Sequence, residues 1–86
     1  MGETKQDRLK RLKMRSWRRG IKEMDLILGP FSDTELEGLD EAQITVYDAM
    51  LSENDHDLYQ WVTGRVAAPP EYLELLKIIS EFAFKS

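Results

Sequence analysis

Apolar positions recur every three or four residues along this chain and never every second one, which predicts helices and no strand. From Asp7 to about Trp17, Leu9, Leu12 and Ser16 share one face, with Trp17 flanking it and Arg8, Lys10, Arg11, Lys13 and Arg15 around them. Residues 1–6 carry no such pattern and read as a frayed, disordered end. Ile21, Met24, Ile27 and Leu28 gather on one side of a second helix, expected from Arg18 or Arg19 to Leu28, where Gly29-Pro30 stops it. Phe31 is then expected to tuck back under the bundle.

Ser32-Asp33-Thr34-Glu35 has the form of a capping box ahead of Leu36 and Leu39, so a short helix or a single turn fits there. Asp40-Glu41-Ala42-Gln43 repeats the signal and opens a helix to about Leu51, with Ile44, Tyr47, Ala49, Met50 or Leu51 turned inward. Asn54 or Asp55 caps the next helix, which carries a Leu58, Trp61, Val62 stripe and runs to Thr63, ending at Gly64. Ala67-Ala68-Pro69-Pro70 is a stiff connector, and Pro70 suits the first position of the last helix. That helix holds Tyr72, Leu73, Leu75, Leu76, Ile78, Ile79, Phe82 and Ala83, too apolar for one-sided contact, and is expected to cross the centre. The expectation is an all-α protein, a small five-helix bundle forming one domain over residues 1–86.

Charge divides the chain. Residues 1–22 carry nine lysines and arginines against Glu3 and Asp7, a charge of +7, so the remainder must hold −11 of the total −4. Such asymmetry speaks of partners and not of fold. A basic, acid-poor start also suits a mitochondrial transit peptide, but here it runs on with no cleavable spacer. A bacterial cytoplasmic protein is expected, or one of the mitochondrial matrix if eukaryotic. The absence of cysteine excludes disulfides and thiolate metal sites, and no metal site is expected. No apolar run approaches the roughly 18 residues of a membrane span.

Little in the sequence suits catalysis, and no catalytic residue is assigned. His56 sits between Asp55 and Asp57, which invites a proton relay, yet a residue in a helix's first turn reads as simply exposed. Asp55 and Asp57 have a simpler task in stabilising the positive end of that helix. Gly20 and Gly29 form no GxGxxG loop, so no cofactor is expected to be held through a dinucleotide fold. Trp17, Trp61, Tyr47, Tyr59 and Tyr72 fall at helical spacings and read as core or rim.

The change of charge, a glycine and an ion-pair spacing coincide in Arg18-Arg19-Gly20-Ile21-Lys22-Glu23-Met24-Asp25. On a helix Arg19 and Glu23 are i and i+4 and face solvent, with Gly20 at the border of the apolar side. A glycine inside a helix costs roughly 0.5–1 kcal/mol against alanine, whereas an exposed pair returns about 0.3–0.5 kcal/mol. Either Gly20 marks the junction of two helices, or it is a bare spot between two charged groups that lets a partner's backbone approach.

This run resembles the RGxxE signature of the succinate dehydrogenase assembly factor 2 family, the SdhE-type flavinylation factors. The likeness continues through Leu28-Gly29-Pro30-Phe31 and Asp55-His56-Asp57-Leu58-Tyr59-Gln60-Trp61, although His56 stands where that family often has proline. The resemblance implies a helper that binds the flavoprotein subunit of succinate dehydrogenase, or of fumarate reductase, and promotes its covalent attachment of FAD. FAD would belong to that client, with none bound stably by the helper. Arg19, Gly20 and Glu23 would contact the client, flanked by Arg18 and Asp25. A monomer is expected because no heptad repeat is sustained, with neither membrane nor nucleic acid as a partner. Two other readings stand beside it. One is a regulatory, antitoxin-like interaction module; the other is a nucleic-acid binder using Arg8, Arg11 and Arg15, which the −11 of the remaining chain opposes.

Overall fold

Five α-helices and two short 3-10 turns follow one another in a computed structural model that describes residues 2–84. Helix α1 spans Lys5–Trp17, α2 Lys22–Thr34, α3 Glu41–Met50, α4 Asp55–Val62 and α5 Leu73–Ala83, with 3-10 turns at Leu36–Gly38 and Pro70–Tyr72. No strand occurs among the described residues. The all-α, five-helix expectation therefore holds.

Helix α1 begins two residues earlier than the apolar pattern indicates. The Thr4 hydroxyl accepts the Asp7 N–H at 3.0 Å, which satisfies one of the free donors of the first turn. Of the end read as frayed, Lys5 and Gln6 are thus helical, and Met1 lies outside the described residues.

Helix α2 departs further from expectation. It starts at Lys22 instead of Arg18 or Arg19, and it runs through Gly29-Pro30 to Thr34. Proline removes one hydrogen bond, the one its own N–H would give to the carbonyl of Leu26 four residues back. Burial outweighs that loss, because continuing the helix seals Phe31 and Ser32 in the core. Gly29 is buried as well, and the Trp17 ring occupies the space where its side chain would be. Nor does the Ser32-x-x-Glu35 box form. The Ser32 hydroxyl donates to the Gly29 carbonyl at 2.8 Å and the Thr34 hydroxyl to that of Pro30 at 2.9 Å, so both serve the last turn of α2.

The second half follows its local signals. Asp40 and Gln43 complete a reciprocal capping box at the start of α3. Asn54 accepts the N–H groups of His56 and Asp57 at the start of α4, and Gly64 closes it with a positive φ of 79°. Pro70 opens a 3-10 turn leading into α5, which starts at Leu73.

Leu12, Met24, Leu28, Phe31, Ile44, Tyr47, Met50, Leu58 and Ile79 form the centre of the core, while Ala49 is exposed. Helix α5 touches α2, α3 and α4, as its apolar character suggests, though Leu73 remains exposed. Helix α1 lies mainly along α2. Its Ser16 hydroxyl, fully buried, bonds to the Leu12 carbonyl at 2.8 Å and to the Tyr47 hydroxyl at 2.6 Å. Burial pushes the Tyr47 phenol up to about 12, partly offset by its bond with Ser16.

Candidate functional site: the loop between α1 and α2

Residues 18–21 connect α1 to α2 and are not helical, so the signature residues do not share a helix face. The spacing of Ile21, Met24, Ile27 and Leu28 fits a helix from Arg18 or Arg19, but the loop's N–H groups are taken by carboxylates. Asp25, in the first turn of α2, reaches back and accepts the Arg19 N–H at 2.7 Å. The next N–H, that of Gly20, donates to Oδ2 of Asp55 at the start of α4.

Arg19 itself turns inward instead of facing solvent beside Glu23. Its side chain is 8% exposed, and the guanidinium pairs at 2.7 Å with Asp55, whose side chain is 14% exposed. Its Nε donates to Asp55 Oδ1, its Nη1 to the Leu51 carbonyl at 2.8 Å and its Nη2 to the Glu53 carbonyl at 3.3 Å. Leu51 ends α3 and Asp55 begins α4. A cation therefore meets the negative end of one helix and an anion the positive end of the next, with both dipoles favouring the pair. The planar five-donor fork is what lets one side chain serve all three acceptors.

The result is a loop clamped from behind and bare in front. Gly20 is exposed, and a Cβ there would stand 2.9 Å from Asp55 Oδ2, so part of the demand for glycine is internal. Its φ is not in the left-handed region. Arg18, Lys22 and Glu23 are exposed around it, and Glu23 makes no ion pair among the described residues. Beside the loop, Arg11, Met14, Arg15, Arg18 and Arg19 line an open groove of about 500 Å³.

Of the five residues singled out from sequence, Arg18, Gly20 and Glu23 thus face outward, while Arg19 and the Asp25 carboxylate are engaged within the chain. Asp55 was missed as their partner. The sequence offered Asn54 or Asp55 as the cap of α4; Asn54 takes that place, which leaves the Asp55 carboxylate free to bond elsewhere. His56 is exposed, with its backbone N–H on Asn54, and no group of three histidines or carboxylates placed to hold a metal occurs among the described residues.

Residues 10–83 match the family described as flavinator of succinate dehydrogenase. The chain belongs to that family. Among its curated relatives, the mitochondrial succinate dehydrogenase assembly factor 2 of Meyerozyma guilliermondii is 36% identical over 87 residues, covering 95% of this chain and 64% of the relative. The protein of the same name from Drosophila grimshawi is 40% identical over 76 residues, covering 81% and 52% respectively. The FAD assembly factor SdhE of Legionella pneumophila is 39% identical over 62 residues, covering 72% of this chain and 78% of that one. The chain thus spans about half to two thirds of the length of these two mitochondrial relatives and matches both mitochondrial and bacterial family members. No described helix is long and apolar enough to cross a membrane.

In this family member the basic face of α1 is not simply solvated. Arg8, Arg11 and Arg15 converge on Asp48 of α3 at 3.7, 2.9 and 3.5 Å, and Arg11 also pairs with Glu3 at 2.8 Å. Hydrogen bonds from Arg11 hold the Glu3 and Asp48 carboxyls below the usual carboxylate range, and those two acids raise the arginine in return. The three arginines that would have to track a phosphate backbone are therefore engaged with carboxylates of their own chain, which disfavours the nucleic-acid reading.

Proposed function

We propose that this chain binds the flavoprotein subunit of succinate dehydrogenase and promotes covalent attachment of FAD to it, docking through the loop that carries Gly20. The observation that carries the reading is the outward, side-chain-free presentation of Gly20 between Arg18 and Glu23 in a member of the flavinator family. A client segment can approach the backbone there and meet charge of either sign.

The helper acts without chemistry of its own. On this reading the nucleophile and the flavin both come from the client, in keeping with a chain that has no cysteine and one histidine, which is exposed. Holding a mobile client segment in a productive orientation lowers a barrier by several kcal/mol through positioning alone. Fumarate reductase, whose flavoprotein subunit poses the same task, is the second client. One helper engages one client as a monomer, in the bacterial cytoplasm or the mitochondrial matrix.

The test is covalent flavin fluorescence of the flavoprotein subunit in cells with and without this protein. Flavinylation is expected to fall without it and to return with the wild-type chain but not with Gly20→Arg. Helical content should survive that substitution, with a small drop in melting temperature because the new Cβ presses on Asp55. Normal flavinylation with Gly20→Arg would remove the loop as the docking site.

A further inference from the structure

We propose that Arg19 and Asp55 are positioning residues that shape the docking loop from behind and do not themselves touch the client. This rests on the docking role given to Gly20 above. It alters the part taken by the arginine of the signature, which becomes a strut, and it adds a residue from outside the signature.

Arg19 has little left to offer a partner. All its hydrogen-bonding nitrogens, Nε, Nη1 and Nη2, donate within the chain, and its side chain is 8% exposed. Asp55 is equally committed, with Oδ1 taking the arginine and Oδ2 taking the Gly20 N–H. One carboxylate thus fixes the backbone at residue 20 and the side chain at residue 19 together. The Asp25 bond to the Arg19 N–H fixes the third point. Three restraints on two consecutive residues narrow the shapes that loop can take.

Losing a restraint leaves the client contacts chemically intact but lets the loop sample other shapes. A binding site that is competent for only a fraction of the time has its dissociation constant raised by the inverse of that fraction. The saturated rate does not change, because the bound complex is the same. That split separates a positioning residue from one that acts on the reaction.

Asp55→Asn is the discriminating change. An amide offers one acceptor oxygen where the carboxylate offers two; the charged Arg19 fork keeps that oxygen, so the Gly20 N–H faces an NH2 group and lets go. Arg19→Lys retains the charge but cannot reach Asp55, Leu51 and Glu53 at once. Binding of each purified variant to the flavoprotein subunit would be measured together with the flavinylation rate at saturating helper. Each single variant is expected to weaken binding about tenfold, as for a loop competent roughly a tenth of the time, with the saturated rate kept. The double variant is expected to be no worse than the weaker single, since both changes undo one restraint.

Unchanged binding by Asp55→Asn, additive losses in the double variant, or a reduced saturated rate would each overturn the proposal. Hydrogen exchange at the Gly20 amide gives a readout that needs no client: it should accelerate in Asp55→Asn while amides in α3 and α5 stay protected, and an unaltered Gly20 rate would also overturn it. Should the wild-type chain fail to bind the subunit, the client assignment falls and the exchange measurement still decides the strut. If a single variant melts below the assay temperature, Arg19→Met with Asp55→Leu replaces it, because an apolar pair can fill a buried ion-pair site without loss of fold. That pair must melt near wild type and bind at least tenfold more weakly; wild-type binding by it would count against the proposal.

Discussion

The indole of Trp17 lies over Gly29, so close that a Cβ on the glycine would stand 2.5 Å from the ring. Trp17 is 43% exposed, and its Nε1 donates to the Asp33 carboxylate at 3.2 Å. The tryptophan thus bridges the end of α1 and the last turns of α2, next to the loop that carries Gly20.

Gly29→Ala is therefore expected to destabilise the protein even though alanine is the better helix former. Overpacking costs about 1–3 kcal/mol, against about 1 kcal/mol gained in propensity. The expected net loss is about 1 kcal/mol, a fall in melting temperature of about 5 °C for a chain of this size. Tryptophan fluorescence should shift to the red as the ring swings into water. A rise in melting temperature would show that the ring does not depend on the bare backbone.

Glu23→Gln separates docking from folding. Glu23 is exposed in the first turn of α2 and has no partner among the described residues, so stability should fall only by the loss of a favourable helix-end charge, about 0.3–1 kcal/mol. Client flavinylation should drop several-fold at limiting helper. Equal activity of the variant in a titration against the flavoprotein subunit would take Glu23 off the docking face.

Acid should loosen α1 first. The Glu3 and Asp48 carboxyls lie below their ordinary values, so the stability they contribute is present above their unfolded pKa, near 4, and is lost as pH falls through the lowered folded values. Asp48→Asn is expected to cost about 1 kcal/mol at neutral pH. The variant and the wild type should converge at strongly acid pH, as read from urea midpoints across the range. A constant gap down to the lowest pH would mean that Asp48 contributes by packing and not by charge.

Alkali acts through Tyr47 and Tyr72. Burial raises the first to about 12, and the hydrogen bond to Glu53 does the same for the second. A raised folded value means that stability is intact below the unfolded pKa near 10 and declines from there to about 12. Tyr47→Phe should cost about 1 kcal/mol at neutral pH, since Ser16 keeps its bond to the Leu12 carbonyl. It should also flatten the alkaline decline, leaving the part due to Tyr72. An alkaline limb identical to wild type would show that Tyr47 does not titrate with unfolding.

How legible each element was depended on where its determinants lie. Helices α3 and α4 carry their own start signals within three residues, in Asp40 with Gln43 and in Asn54, and Gly64 marks a stop, so their bounds followed from the chain. Helix α2 was misread at both ends for one reason. Its local stop, Gly29-Pro30, is overridden by the burial of Phe31 and by a tryptophan twelve residues away. Its apparent start is cancelled by carboxylates, one of which stands 35 residues downstream of Gly20. Within the signature, the outward placement of Gly20 and Glu23 could be read from charge and periodicity. The inward turn of Arg19 could not, because its acceptors include two backbone carbonyls that no side-chain pattern announces.

Apart from the Asp25 bond, the clamp on residues 19 and 20 comes from positions 51 to 55, a different part of the chain. An excised octapeptide spanning residues 18–25 would hold every letter of the signature but only the Asp25 bond among the contacts that shape it. Mimics of the proposed docking surface must therefore be stitched from two distant stretches, and antibodies raised against the linear peptide should recognise the denatured chain in preference to the native one.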